Sequence, residues 1–309
     1  MSLDPQIKEV LKVISSFQID LNKITPQEYR NLFRQAALSM IEKKIEVKNT
    51  QDLFIDSDGE KIRLRIYEPL NCKEPYPITI YYHGGGFVLG DVDVYDNVCR
   101  MLANLSNSLV VSVDYRLAPE YKFPTQVKDC YNALKWVHEN AWKIKGDSSK
   151  IIVAGDSAGG NLASVVSIVA RDRNEKLIRA QVLIYPVVNM LDLSPSVIEF
   201  SEVYFLTLEQ MLWFNKHYFS DLKDAMNPYA SPIFAELKDL PPALIITAEY
   251  DPLRDQAETF AKILRSKGNN VTCIRANGLI HGFINFFEFV ESAKTMLAII
   301  AGFIRFISS

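Results

Sequence analysis

From residue 46 onward the chain alternates between two textures. Short runs rich in β-branched and aromatic residues read "PITIYYHGGG", "SLVVSVDYRL", "KIIVAGDS", "AQVLIYP", "ALIITAEYDP" and "VTCIRANG". Most are apolar at successive positions, so both faces of each strand need cover. Helical patterns separate many of them, as at 127–140 and 158–171. Buried strands alternating with helices predict an α/β fold, a largely parallel sheet covered on both sides. Ahead of them, "KIRLRIYEP" alternates like a half-exposed strand behind the turn "DSDGEK", which predicts a hairpin.

Two segments leave this rhythm. The first 45 residues hold no strand pattern. Ile7, Val10, Leu11 and Ile14 form one helical stripe, and Leu32, Phe33, Ala36, Ala37 and Met40 a second. "TPQE" at Thr25–Glu28 is a capping box with proline at the first helical position. A long insertion then separates Pro186 from Ala243. It contains the helix-like "TLEQMLWFNKHYF", prolines 228, 232, 241 and 242, and aromatics from Phe200 to Phe219. Such a segment is either ordinary helix packing or a lid over a pocket.

Composition narrows the partners. The 309 residues suffice for a large buried core. A net charge of −3 argues against nucleic acid and against an anionic membrane surface. The opening "MSLDPQIKEV" has Asp4, Lys8 and Glu9 where a secretion signal needs an apolar run, so a cytoplasmic location is expected. The longest uncharged C-terminal run, Thr295 to Ile304, is too short for a membrane span. Ala293, Leu297, Ile300, Ile304 and Ile307 there predict a helix packed on the core. Cys72, Cys99, Cys130 and Cys273 show no C-x-x-C spacing and are expected as free thiols.

The chemistry gathers where strands end. In "IIVAGDSAGGNLAS", Ser157 follows a strand and precedes a helix, flanked by Gly155 and Gly159. A sharp strand-to-helix turn tolerates only small neighbours and lifts the central hydroxyl to the helix N-terminus. The reading is a nucleophile, against a Gly-rich corner with no chemistry. "HGGGF" at His83–Phe87 places three glycines after a buried strand. Bare backbone N–H groups there suit a developing oxyanion. Of four histidines, His281 in "NGLIHGF" is best placed for base work, with Gly278 and Gly282 leaving room. His83 suits a structural hydrogen bond, His138 lies in a helix pattern, and His217 lies in the insertion. Asp251 in "AEYDPLRD" sits just past a strand end, with Glu249 as a rival and Asp255 read as a helix-start charge. The order Ser157, Asp251, His281 is that of an α/β-hydrolase.

"HGGGF", "DYRLAPE", "GDSAGGNLA", "DPLRD" and "HGF" resemble, in order, the motifs of hormone-sensitive-lipase family carboxylesterases. The resemblance runs from about residue 78 to 285. It implies an α/β-hydrolase fold at 46–186 and 230–309, with a helical cap from 1–45 and an insertion at 187–229. It implies Ser157 as nucleophile, His281 as general base and acid, and Asp251 as its partner. Backbone N–H groups of Gly85, Gly86 and Ala158 would form the oxyanion hole. Short- to medium-chain acyl esters would be hydrolysed without metal or cofactor. Several members pair through an edge strand, here Val271–Ala276. An amidase or formamidase with the same triad is the enzyme alternative. A non-catalytic small-molecule receptor of this fold is the other, disfavoured because His281 is present.

Overall fold

The computed structural model describes residues 2–15 and 19–309. Its strands are β1 (Asn49–Ser57), β2 (Glu60–Glu68), β3 (Tyr76–Tyr82), β4 (Leu109–Asp114), β5 (Gly146–Asp156), β6 (Ala180–Ile184), β7 (Ala243–Tyr250) and β8 (Val271–Ile280). The helices are α1 (Pro5–Ser15), α2 (Pro26–Ser39), α3 (Asp96–Ser106), α4 (Thr125–Asn140), α5 (Ala158–Asp172), α6 (Pro195–Phe200), α7 (Leu208–Tyr218), α8 (Arg254–Ser266) and α9 (Glu291–Ser308).

All the strands join one sheet in the order β1-β2-β4-β3-β5-β6-β7-β8. The β1–β2 hairpin and the β2–β4 pair are antiparallel, and every other pair is parallel. Side chains alternate between the two faces. Ile151 and Val153 face a core built with α4, α5 and α8, while Ile152 and Ala154 face one built with α3, α9 and Ile7 of α1. That double cover is why the strand runs are apolar throughout. The C-terminal stripe packs as its spacing predicts, with Ala293, Leu297, Ile300 and Ile304 buried. All four cysteines are free. Among the described residues no helix is long and apolar enough to cross a membrane.

The capping box at Thr25 and Glu28 forms. The stripe behind it packs differently from its spacing. Leu32 is 46 % exposed, and Tyr29 is the buried residue of α2. The helix does not lie on a sheet face. It reaches over the carboxyl edge of the sheet, where Tyr29 meets Trp213 of α7 edge-on at 5.4 Å. Arg30 anchors it, donating to the Val88 carbonyl at 2.7 Å and pairing with Glu120 at 2.6 Å. Arg34 pairs with Asp91 and Asp93.

Strand order reverses around β3 and β5, since β4 lies on one side of β3 and β5 through β8 continue on the other. In open parallel sheets a crevice opens at the carboxyl ends of such strands. The loop after β3 and the turn after β5 meet there.

Candidate active site

Ser157 sits between the end of β5 and the start of α5, with φ 54° and ψ −117°. That conformation is strained for any residue with a side chain. The surroundings enforce it. The Ser157 N–H donates to the Ile184 carbonyl at 2.9 Å, and Asn161 N–H donates to the Ser157 carbonyl at 3.0 Å. The flanking glycines are a packing requirement. A Cβ on Gly159 would stand 1.9 Å from the Tyr82 carbonyl oxygen, and one on Gly155 would stand 2.3 Å from that of Gly159.

Residues far apart in the chain converge on this hydroxyl. His281, just past β8, lies with Nε2 2.9 Å from Ser157 Oγ. Its Nδ1 is 2.8 Å from Asp251 Oδ2, just past β7. The carboxylate only accepts, so Nδ1–H donates to it and Nε2 is left to accept from the serine. Asp251 is fully buried, His281 is 5 % exposed, and Leu253 N–H donates to Asp251 Oδ1 at 2.8 Å. Such a line can draw a proton off Oγ and hold it.

The rivals go elsewhere. Glu249 accepts from Gly278 N–H at 2.7 Å. Asp255 lies in the first turn of α8, accepting from Ser196 N–H at 2.9 Å and pairing with Arg254. His83 is buried, stacks on Tyr115 at 4.2 Å and sits 2.8 Å by Nδ1 from the Gly84 carbonyl. His217 lies on α7 against Trp213.

The loop after β3 faces the serine. Gly85 and Gly86 have φ of +115° and +61°, conformations that favour glycine. Val88 and Leu89 N–H groups both donate to the Gly85 carbonyl, which turns the peptide units of this loop. Among the described residues the N–H groups of Gly85 and Gly86 have no acceptor. Ala158 N–H, at the first position of α5, has no intrahelical acceptor either.

Above them lies an apolar cavity of ≈ 140 Å³. Phe33, Phe205, Leu206, Met211, Phe214 and Leu253 line it, beside Ser157, His281 and the loop glycines. The Phe214 ring presses on Gly86, where a Cβ would stand 2.4 Å from it. The next residue, Phe87, stacks on Tyr218 of α7 at 3.9 Å.

Comparison with known proteins gives the family and the fold. A family described as "alpha/beta hydrolase fold" matches residues 79–285. An arylesterase of Saccharolobus solfataricus is 39 % identical over 92 % of this chain and 93 % of its own length. A hyperthermophilic esterase from the archaeon Pyrobaculum calidifontis superposes with a TM-score of 0.95, at 46 % identity, covering 99 % of this chain and 98 % of that one. The chain belongs to the hormone-sensitive-lipase-type carboxylesterases, in the α/β-hydrolase fold. A carboxylesterase of Mycobacterium tuberculosis adds 42 % identity over 75 % of this chain and 74 % of its own. The protein is a carboxylic ester hydrolase.

In this esterase the sequence pattern had singled out Ser157, Asp251, His281 and the loop glycines, and the structure gathers them within one crevice. It had not placed Tyr29, Phe33 or Gln210 individually at the site, and all three line the cavity. One signal for Gln210 was readable. "TLEQ" is a second capping box, closed between Thr207 and Gln210.

Proposed function

We propose that this enzyme hydrolyses short- to medium-chain acyl esters through an acyl-enzyme on Ser157. The hydrogen-bonded line from Ser157 through His281 to Asp251, facing three backbone N–H groups without acceptors, carries the reading. Ser157 Oγ attacks the ester carbonyl carbon while His281 Nε2 takes its proton. Negative charge collects on the carbonyl oxygen, and Gly85, Gly86 and Ala158 N–H groups hold it. His281 returns the proton to the leaving alcohol. Water then attacks the acyl-enzyme by the same sequence and frees the acid and Ser157. Asp251 keeps His281 in the tautomer that can accept and stabilises its charged form.

The lining supports the substrate class. Among the described residues that form it, no lysine, arginine or glutamate appears, and Asp156 is the one acid. A charged acyl group would lose its water there without gaining a partner. An apolar cavity of about 150 Å³ holds one benzene, so an acyl group of similar size suits this one. Residues 1–45 and 187–229 act together as a cap on the hydrolase body at 46–186 and 230–309. Gln210 Nε2 donates to Tyr29 Oη at 3.0 Å, which ties the two parts of that cap together.

A series of nitrophenyl esters and matched anilides tests the reading. The specificity constant should peak at acyl chains of about four to six carbons. Anilides should run at least about 10²-fold slower, because their leaving nitrogen depends more on the delivered proton. Anilides hydrolysed as fast as esters would make the enzyme an amidase instead.

The partner of this same reading is a second copy. Strand β8 ends the sheet, and its outer edge is occupied at Gly278, whose carbonyl accepts from Asp4 N–H at 3.0 Å. Val271–Ala276 lies before that contact, and an unpaired strand edge favours pairing. Light scattering should give twice the 35.1 kDa of one chain. A single-chain mass would remove the dimer from the proposal.

A further inference from the structure

Asp156 precedes Ser157, and the mechanism above gives it no task. It ends β5 and is 2 % exposed. A buried carboxylate is costly unless donors surround it. Three do. The Tyr81 hydroxyl donates to Oδ1 at 2.8 Å, Gly84 N–H donates to the same oxygen at 2.9 Å, and the Tyr95 hydroxyl donates to Oδ2 at 3.1 Å. Burial pushes the Asp156 carboxyl up, and the Tyr81 hydroxyl is the main pull downward. Burial also holds the Tyr81 and Tyr95 hydroxyls well above their ordinary range, and the charge of Asp156 adds to that. Both phenols therefore stay protonated donors well past neutral pH.

The backbone donor differs from the two phenols. Gly84 is the residue before Gly85 and Gly86. Strands β3 and β5 pair in parallel as far as Tyr82 opposite Gly155. The bond from Gly84 to Asp156 is one more rung, made by a side chain after the backbone ladder has ended. It ties the loop to the strand that carries the nucleophile. The fit admits nothing between them, since a Cβ on Gly84 would stand 2.5 Å from Oδ2. Several other polar groups of the loop are also taken. The Gly84 carbonyl faces His83 Nδ1 at 2.8 Å, Tyr115 donates to the His83 carbonyl at 2.7 Å, and the Gly85 carbonyl accepts from Val88 and Leu89. The N–H groups of Gly85 and Gly86 have no acceptor among the described residues.

We propose that Asp156 is a positioning residue: its carboxylate holds Gly84 so that the Gly85 and Gly86 N–H groups stay aimed at the carbonyl attacked by Ser157. This rests on the reading of Ser157 as nucleophile. An oxyanion forms only as the reaction proceeds, so losing the hold should lower kcat and spare KM.

Asp156→Ala removes the acceptor. Asp156→Ser keeps a hydroxyl among the tyrosines but is too short to reach Gly84, and serves if the alanine variant does not fold. Asp156→Asn keeps an oxygen for Gly84 while losing the charge. Turnover of a short nitrophenyl ester is measured per active serine, counted by organophosphate labelling taken to completion. The alanine and serine variants should lose about 10²-fold in kcat, with KM changed less than about threefold. The asparagine variant should recover most of kcat. Removal variants with kcat per labelled serine within about threefold of the parent would overturn the proposal, as a purely structural role predicts. An asparagine variant as slow as the alanine one would also overturn it, since its oxygen still reaches Gly84. Ser157→Ala runs in the same assay. If that variant stays active, the nucleophile reading falls and this proposal with it. If it is inert beside a fully active Asp156→Ala, this proposal falls alone.

Discussion

Ser157→Ala is expected to lower ester turnover by about 10⁶-fold, as loss of the nucleophile does in another triad enzyme. The fold should not notice. Alanine keeps the Cβ, so the strained φ of 54° and ψ of −117° is borne by the same packing. The backbone bonds to Ile184 and Asn161 do not involve the hydroxyl, whose partner is His281 Nε2. The melting temperature should stay within about 2 °C, the scale of a sub-kcal/mol change for a domain of this size. Steady-state hydrolysis beside a thermal melt reads both. Turnover within about tenfold of the parent would remove Ser157 from the reaction, because no single supporting contact is worth so little there.

Asp251→Asn should cost about 10⁴-fold in kcat, the scale seen when the acid of a serine protease triad becomes an amide. The reason is geometric. Leu253 N–H already donates to Asp251 Oδ1 at 2.8 Å. In the variant that donor claims the amide oxygen, and the amide NH₂ must face His281 Nδ1. The imidazole then carries its proton on Nε2, where it can no longer accept from Ser157. Volume and burial barely change, so folding should survive. The specificity constant of the folded variant is the readout. A loss smaller than about tenfold would mean that another group, with Glu249 the first candidate, orients the imidazole.

How far the chain could be read depended on how local each signal was. The strand runs were legible because burial on both faces leaves few polar positions, and none in Ile151–Ala154. Ser157 was legible because a tight turn demands Gly155 and Gly159 beside it. His281 and Asp251 were legible through chain order and their places past strand ends. Helix α3 was not, since Tyr95 at its N-cap makes no side-chain capping bond and announces no start. The facing of α2 was not, because a stripe gives a periodicity but not a partner. Its anchor, Arg30, reaches groups 58 and 90 positions away. The role of Asp156 was hidden for the same reason. Its donors Tyr81, Gly84 and Tyr95 come from distant positions and meet only in the folded crevice.

Phe214 against Gly86, and Phe87 stacked on Tyr218, have a consequence beyond packing. Helix α7 forms the ceiling of the cavity and leans on the loop whose Gly85 and Gly86 N–H groups are proposed to hold the developing charge. The two cannot shift independently. On the proposed mechanism, an acyl group bulky enough to press on Phe214 should therefore lower kcat more than it raises KM, which a series of branched acyl esters would read.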